Sequence, residues 1–163
     1  MDVLWNPWRY DYIKGGSSTT DQVCVFCGLA NDSARDEERF ILKRAEFNFV
    51  VLNLFPYAAG HLLIVPYEHV ALLDQTDEQT AVEMIMLTRA AQTALSHVYS
   101  PDGFNLGMNL GKAAGAGVAG HLHMHILPRW TGDVNFMTAV GGTRNIPEAL
   151  HDTYRKLINR FDS

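Results

Sequence analysis

The chain predicts an α+β domain whose sheet is mostly antiparallel. Three observations carry that prediction. Short runs rich in Val, Ile, Leu and Phe recur at 40–42, 47–54, 61–65 and 104–110, joined by turn-length links. One long helical stretch lies mid-chain and one amphipathic stretch lies near the end. Finally, His121-Leu122-His123-Met124-His125-Ile126-Leu127 places a histidine at every second position. On a strand, alternate side chains share a face, so three imidazoles line one side while Leu122, Met124 and Ile126 anchor the other. On a helix the same three rings would spread over about 200° and do no joint work.

The elements follow in order. Residues 1–20 read as an N-terminal arm with Trp5, Trp8, Tyr10 and Tyr12 as aromatic anchors and GGSSTT as a flexible link. Residues 21–163 read as a single domain. It opens on the Cys24-Val25-Phe26-Cys27 knuckle and a polar loop over 31–38. Strands are expected at 40–42 and 47–54, then a turn through Pro56-Tyr57-Ala58-Ala59-Gly60, then a buried strand over 61–65 stopped by Pro66. Thr76 with Gln79 reads as a capping box opening a helix that runs to about His97. Val82, Ile85, Met86, Arg89 and Thr93 set its period, with Leu87 and Ala90 widening the apolar stripe. After the Pro101-Asp102-Gly103 turn come a strand over 104–110, a glycine-rich loop over 111–120, and the histidine strand, ended by Pro128. Residues 131–145 read as a loop, and Pro147 opens a final helix to about Phe161.

Composition narrows the function. The chain has 163 residues, 47% hydrophobic and 19% charged, an ordinary balance for one domain with a real core. The formal charge is -5 and no cluster of Lys and Arg occurs, which argues against general nucleic-acid binding. A small anionic ligand stays open, because backbone amides and helix ends hold phosphate. No apolar run reaches the ~18 residues of a membrane span, so no membrane partner is expected. MDVLWNPWRY lacks a secretory pattern, and the expected compartment is the cytoplasm.

Histidine has the side-chain pKa closest to neutral, so an aligned row of three suits a nucleophile, an acid/base or a metal ligand. The loop just before it, Gly111-Lys112-Ala113-Ala114-Gly115-Ala116-Gly117-Val118-Ala119-Gly120, lacks the Walker and Rossmann spacings. Beside the histidines it reads as a phosphate cradle; alone it would read as a flexible turn. Cys24 and Cys27, with His69 and one of the strand histidines, have the makings of a closed tetrahedral zinc site. The alternative is two buried free thiols acting as small hydrophobes. His61 reads as a hydrogen-bonded core histidine, and His97 and His151 as structural residues near helix ends.

The strand pattern His-apolar-His-apolar-His-apolar-apolar resembles the signature of the histidine triad (HIT) family. Cys24-Val25-Phe26-Cys27, Gly60-His61-Leu62-Leu63-Ile64-Val65-Pro66 with His69, and Asn109 fall in the family's order. His125-Ile126-Leu127-Pro128-Arg129-Trp130 and the residues after it, with Asn53-Leu54-Phe55-Pro56-Tyr57 upstream, most resemble its bacterial diadenosine tetraphosphate (Ap4A) phosphorylase branch. The resemblance implies a five-stranded antiparallel sheet with helices, a homodimer, and cleavage at the α-phosphate of a nucleotide such as Ap4A. It implies that His123 is the nucleophile, that His125 binds phosphoryl oxygens, and that His121 orients the site or ligates zinc. It implies ribose contacts from Asn53 and phosphate contacts from Asn109; Lys112 in the same loop adds positive charge. It implies a structural zinc on Cys24, Cys27, His69 and His121, no organic cofactor, and inorganic phosphate as acceptor. One departure stands out. Many relatives carry Gln, Ser or Thr five or six residues before the central histidine, where this chain has Gly117 and Val118. Only backbone N–H groups remain there, a loss of about 1.5–3 kcal/mol for one contact to a charged group. The competing readings are a nucleoside phosphoramidate hydrolase and a nucleotide-binding sensor with weak catalysis. A catalytic zinc held by the three histidines is a further one.

Overall fold

The computed structural model describes residues 24–134 and 148–161. The N-terminal arm, the rest of the 131–145 loop and the Pro147 helix start lie outside the described residues. Helix α1 spans Val25–Ala30. Strands β1 (Ile41–Arg44), β2 (Asn48–Leu52) and β3 (Leu62–Pro66) follow. Then come helix α2 (Glu78–Tyr99), β4 (Gly103–Met108), β5 (Met124–Arg129) and α3 (Leu150–Leu157), which continues as a 3-10 turn. The five strands form one sheet in the order β1-β2-β3-β5-β4. Every pairing is antiparallel, so the α+β expectation holds.

Both faces of the sheet's first three strands are covered, which is why β2 and β3 read as unbroken apolar runs rather than alternating ones. Val50, Leu52, Leu62, Ile64, Met124 and Ile126 face α2 and α3. Phe49, Val51, Leu63 and Val65 face the opposite way, against Phe26 and Leu29 of α1. β4 is one of the sheet's two edge strands, with none of its residues buried.

α2 departs from the sequence reading in two ways. Its N-cap is Asp77, whose side chain accepts from Thr80 N at 2.7 Å, while Thr76 Oγ1 turns back to donate to Leu73 O. Its buried face carries Thr80, Met84, Thr88, Ala91, Ala94 and Leu95, whereas Val82, Ile85 and Met86 are exposed. The small residues let the helix lie close on the sheet. Ranking positions by apolar bulk picked the wrong face.

Two side chains tie the helices to the sheet. Glu83 of α2 accepts from Glu46 N, Phe47 N and Asn48 N at 2.8–2.9 Å, and from Asn48 Nδ2 at 2.9 Å. It thereby satisfies the turn between β1 and β2. Arg44 donates to Leu29 O and Ala30 O at the end of α1 and pairs with Asp36.

Candidate active site

The histidine row is only partly a regular strand. Ladder pairing begins at Met124, so His121 and His123 lie on the extended approach to β5. The alternation persists because Leu122 is held in the core and its N–H donates to Val70 O at 2.6 Å. Pro128 does not end the strand. It lies past the last β3–β5 pair, so on that side its missing N–H leaves no gap.

The backbone sets the tautomer of the central histidine. His123 Nδ1 is 2.8 Å from His121 O. A carbonyl only accepts, so Nδ1 carries the proton and Nε2 keeps its lone pair. The third histidine is set the opposite way, through His61. The Tyr57 amide donates to His61 Nδ1 at 3.1 Å, which puts the His61 proton on Nε2. That Nε2 donates to His125 Nδ1 at 2.9 Å, which puts the His125 proton on its own Nε2. His125 Nε2 is buried and has no hydrogen-bond partner among the described residues. The rings of His123 and His125 are 4.9 Å apart, so a lone pair and an N–H donor stand side by side. Burial favours the neutral form of both: it lowers His123, and together with the repulsion from His123 when that ring is protonated it lowers His125 to about 4.

An open cleft of about 200 Å³ lies against the His125 ring, lined by Tyr57, Asn109, Leu127 and β4 residues from Asn105 to Met108. Gly107 pairs directly with His125 across the ladder, and a Cβ there would meet nothing within 4 Å. The missing side chain leaves the space beside His125 open. Of the sequence-predicted residues, His125 and Asn109 line this cleft, and His123 abuts His125. Asn53 joins through His61: its Oδ1 accepts from Phe55 N at 2.9 Å and its Nδ2 lies 3.2 Å from His61 Nδ1. Lys112 is exposed on a 3-10 turn bracketed by Gly111 and Gly115, both with positive φ. Lys112, Gly117 and Val118 do not line the cleft. Val118 packs against the Phe26 cluster instead, which accounts for an apolar residue there.

Cys24, Cys27, His69 and His121 come together with their donor atoms within 4.8 Å of one another. Cys24 Sγ is 3.3 Å from His121 Nδ1; Cys27 Sγ is 3.6 Å from that atom and 3.2 Å from His69 Nδ1. A tetrahedral Zn²⁺ with bonds of about 2.3 Å to sulfur and about 2.0 Å to nitrogen sets S and N about 3.5 Å apart. The donor set therefore fits zinc. His121 Nε2 donates to Pro66 O at 2.9 Å, which frees Nδ1 for a metal and fixes the ring. Burial and the neighbouring Cys24 thiol push the Cys27 thiol up, and a bound cation acts in the opposite direction. With four protein donors the site is closed. A metal shared by the three triad histidines is disfavoured: His121 spends Nε2 on the Pro66 carbonyl and Nδ1 on the cysteine cluster, leaving no nitrogen to join His123 and His125.

Two residues that touch the triad escaped the sequence reading. His61 is a hydrogen-bonded core histidine as expected, but its partner is the triad itself. Its place one residue before β3 was the available signal: it shares the site-facing parity of Leu63 and Val65. Phe26 is the second; its ring lies 5.1 Å from that of His123 and 5.4 Å from that of His121.

Comparison with known proteins identifies the family. The HIT domain family matches residues 35–132. Over 99% of its length the chain is 39% identical to the AP-4-A phosphorylase of Mycobacterium tuberculosis, of which it covers 85%. It is 26% identical to the adenosine 5'-monophosphoramidase of Schizosaccharomyces pombe, over 65% of this chain and 74% of that protein. A Zn-bound histidine triad family protein from Mycobacterium smegmatis superposes with a TM-score of 0.68 at 28% identity, over 85% of this chain and 92% of that one. With its five-stranded antiparallel sheet and its aligned histidines, the chain belongs to the histidine triad (HIT) family, and its resemblance runs to the Ap4A phosphorylase branch.

Proposed function

We propose that this HIT-family enzyme cleaves dinucleoside polyphosphates such as Ap4A at the α-phosphate, with His123 as nucleophile and inorganic phosphate as acceptor. The observation that carries this reading is the opposed tautomers of His123 and His125. His123 Nε2 attacks the α-phosphorus, an Nε2–P bond forms, and the bridging P–O bond breaks to release ATP. The His125 Nε2–H, buried beside it, donates to a phosphoryl oxygen as charge develops. Phosphate then attacks the same phosphorus, the N–P bond breaks, ADP leaves, and His123 regains its lone pair. From the resemblance we assign phosphate contacts to Asn109, Lys112 and the backbone of Gly117 and Val118 and the ribose to Asn53, of which Asn109 alone lines the cleft described above. Zn²⁺ on Cys24, Cys27, His69 and His121 serves structure. The Mycobacterium tuberculosis relative supports the choice of substrate and acceptor.

We place the enzyme as a homodimer in the cytoplasm. The exposed α2 face of Val82, Ile85 and Met86, with Leu106 exposed on the edge strand β4, supports the dimer. A thiol pair read as metal ligands suits a reducing compartment. No helix among the described residues is long and apolar enough to cross a membrane.

The test is product analysis by chromatography after incubation with Ap4A, with and without phosphate. ADP plus ATP, formed only with phosphate, is the expected result. AMP plus ATP without phosphate makes water the acceptor of the same intermediate. A second reading, phosphoramidate hydrolysis, is favoured by the Schizosaccharomyces pombe relative and differs only in the leaving group. Faster turnover of an AMP-amine than of Ap4A would establish it. Tight Ap4A binding with no turnover of either substrate would instead favour a sensor.

A further inference from the structure

The cysteine–histidine cluster and the nucleophile are joined at two points. The first is His121, whose side chain supplies Nδ1 to the cluster and whose carbonyl accepts the Nδ1 proton of His123 at 2.8 Å. The second is Phe26, which sits between the two cysteines in sequence. It is 6% exposed, and its ring lies against both His121 and His123. The helix that carries Phe26 has only six residues and no side-chain N-cap, so little within it fixes its position. It is held from outside: Phe26 and Leu29 pack on Phe49, Val51, Leu63 and Val65, Arg44 holds the carbonyls of Leu29 and Ala30 at its C-terminal end, and the donor cluster holds its N-terminal end.

We infer that the Cys24–Cys27 helix is a positioning device for the nucleophile: Phe26 braces the His123 ring, His121 holds its Nδ1 proton, and metal occupancy of the cluster sets both. Phe26 is a positioning residue; it acts on the reaction through His123. Loss of the metal lets the start of the helix move, which loosens the ring brace and shifts the His121 carbonyl together. The Nε2 lone pair then loses its fixed aim at the α-phosphorus, and misplacement by about 1 Å costs up to about a hundredfold in rate. Substrate affinity changes little, because neither Phe26 nor the metal holds the phosphates. The inference rests on His123 being the nucleophile, but its first readout does not need turnover.

The experiment uses the full chain loaded with Zn²⁺, the same chain stripped by a chelator, and the variants His69→Ala and Phe26→Leu. His69 is exposed, so its loss weakens zinc binding without emptying the core. Nitrogen-15 NMR of the histidine rings reports the His123 tautomer, with metal content and circular dichroism recorded alongside. Zinc-loaded protein is expected to show a single Nδ1–H tautomer at His123. Stripped protein and His69→Ala are expected to show an averaged one, reversed in stripped protein by added Zn²⁺. Phe26→Leu in zinc-loaded protein is expected to lower kcat about tenfold or more with KM within about threefold. An unchanged His123 signal in folded, zinc-free protein overturns the inference. If zinc removal unfolds the chain, Phe26→Leu decides: wild-type kcat overturns the inference, and a kcat-only loss upholds it. Absence of any turnover by untreated protein would sink the proposed function and leave the NMR readout to judge the brace.

Discussion

Replacing His61 with leucine separates the groups that react from the group that aims them. Leucine has similar bulk, so the site keeps its packing and the cavity term stays small. Three polar groups lose a partner: the Tyr57 N–H at 3.1 Å, the Asn53 amide at 3.2 Å and His125 Nδ1 at 2.9 Å. At about 1 kcal/mol each, the fold loses about 3 kcal/mol. The chemical effect is more specific. Without the His61 donor, His125 is free to hold its proton on Nδ1, and its Nε2 then offers a lone pair to the phosphate instead of an N–H. Deleting a preorganised donor outright costs about 10²–10³ in kcat. His125 retains its donating tautomer part of the time, so His61→Leu should cost about tenfold to a hundredfold in kcat, with KM little changed. Steady-state kinetics on Ap4A, with a urea titration to verify folding, measures both effects. A folded His61→Leu protein within about twofold of wild-type kcat would refute the tautomer chain.

Three further predictions follow from the packing and the buried charges. Gly60→Ala places a Cβ 2.8 Å from Leu95 Cδ2 and 3.2 Å from Tyr99 Cε2 at a φ of +74°, and should cost about 2–4 kcal/mol by urea denaturation. A loss under about 1 kcal/mol would show that the turn relaxes freely. Glu83→Gln removes the charge behind four hydrogen bonds and sets an NH₂ against the Glu46 N–H, so thermal unfolding should show a loss of about 2–4 kcal/mol; an unchanged midpoint would contradict this. Because the folded-state value of His125 lies at about 4, below the ordinary 6.5, the unfolded chain takes up that proton first as pH falls. Its contribution to stability is complete above pH 6.5 and is lost as pH drops toward 4. The acid limb of kcat/KM should accordingly fall below the ordinary histidine value; a limb at 6.5 or above would show that these histidines titrate as if exposed.

The parts of this molecule that read directly from sequence are those where chemistry and periodicity coincide. The alternation at His121, His123 and His125 predicted a shared face, and it holds although the ladder begins only at Met124. Residue chemistry singled out Cys24, Cys27 and His69 with one strand histidine, the resemblance chose His121, and the fold brings the four donors within 4.8 Å of one another. The face of α2 was misread because Thr80, Thr88, Ala91 and Ala94 pack the helix onto the sheet, while the larger Val82, Ile85 and Met86 point outward. Exposed apolar bulk at helical spacing looks, in sequence, like a core stripe. His61 was placed correctly in the core, but its hydrogen bond to His125 joins residues 64 positions apart, and no local pattern encodes that. Likewise, the carbonyl that sets the His123 tautomer belongs to a residue two positions back, and the local backbone path decides it.

The central claim is that His123 Nε2 carries the nucleotidyl group between substrate and acceptor. The most direct test is intact-protein mass spectrometry after rapid acid-free quenching with Ap4A in the absence of phosphate, followed by peptide mapping. A single AMP adduct on His123, absent from His123→Ala and discharged to ADP when phosphate is added, is the predicted result. Wild-type turnover in His123→Ala, or an adduct on any other residue, would contradict it.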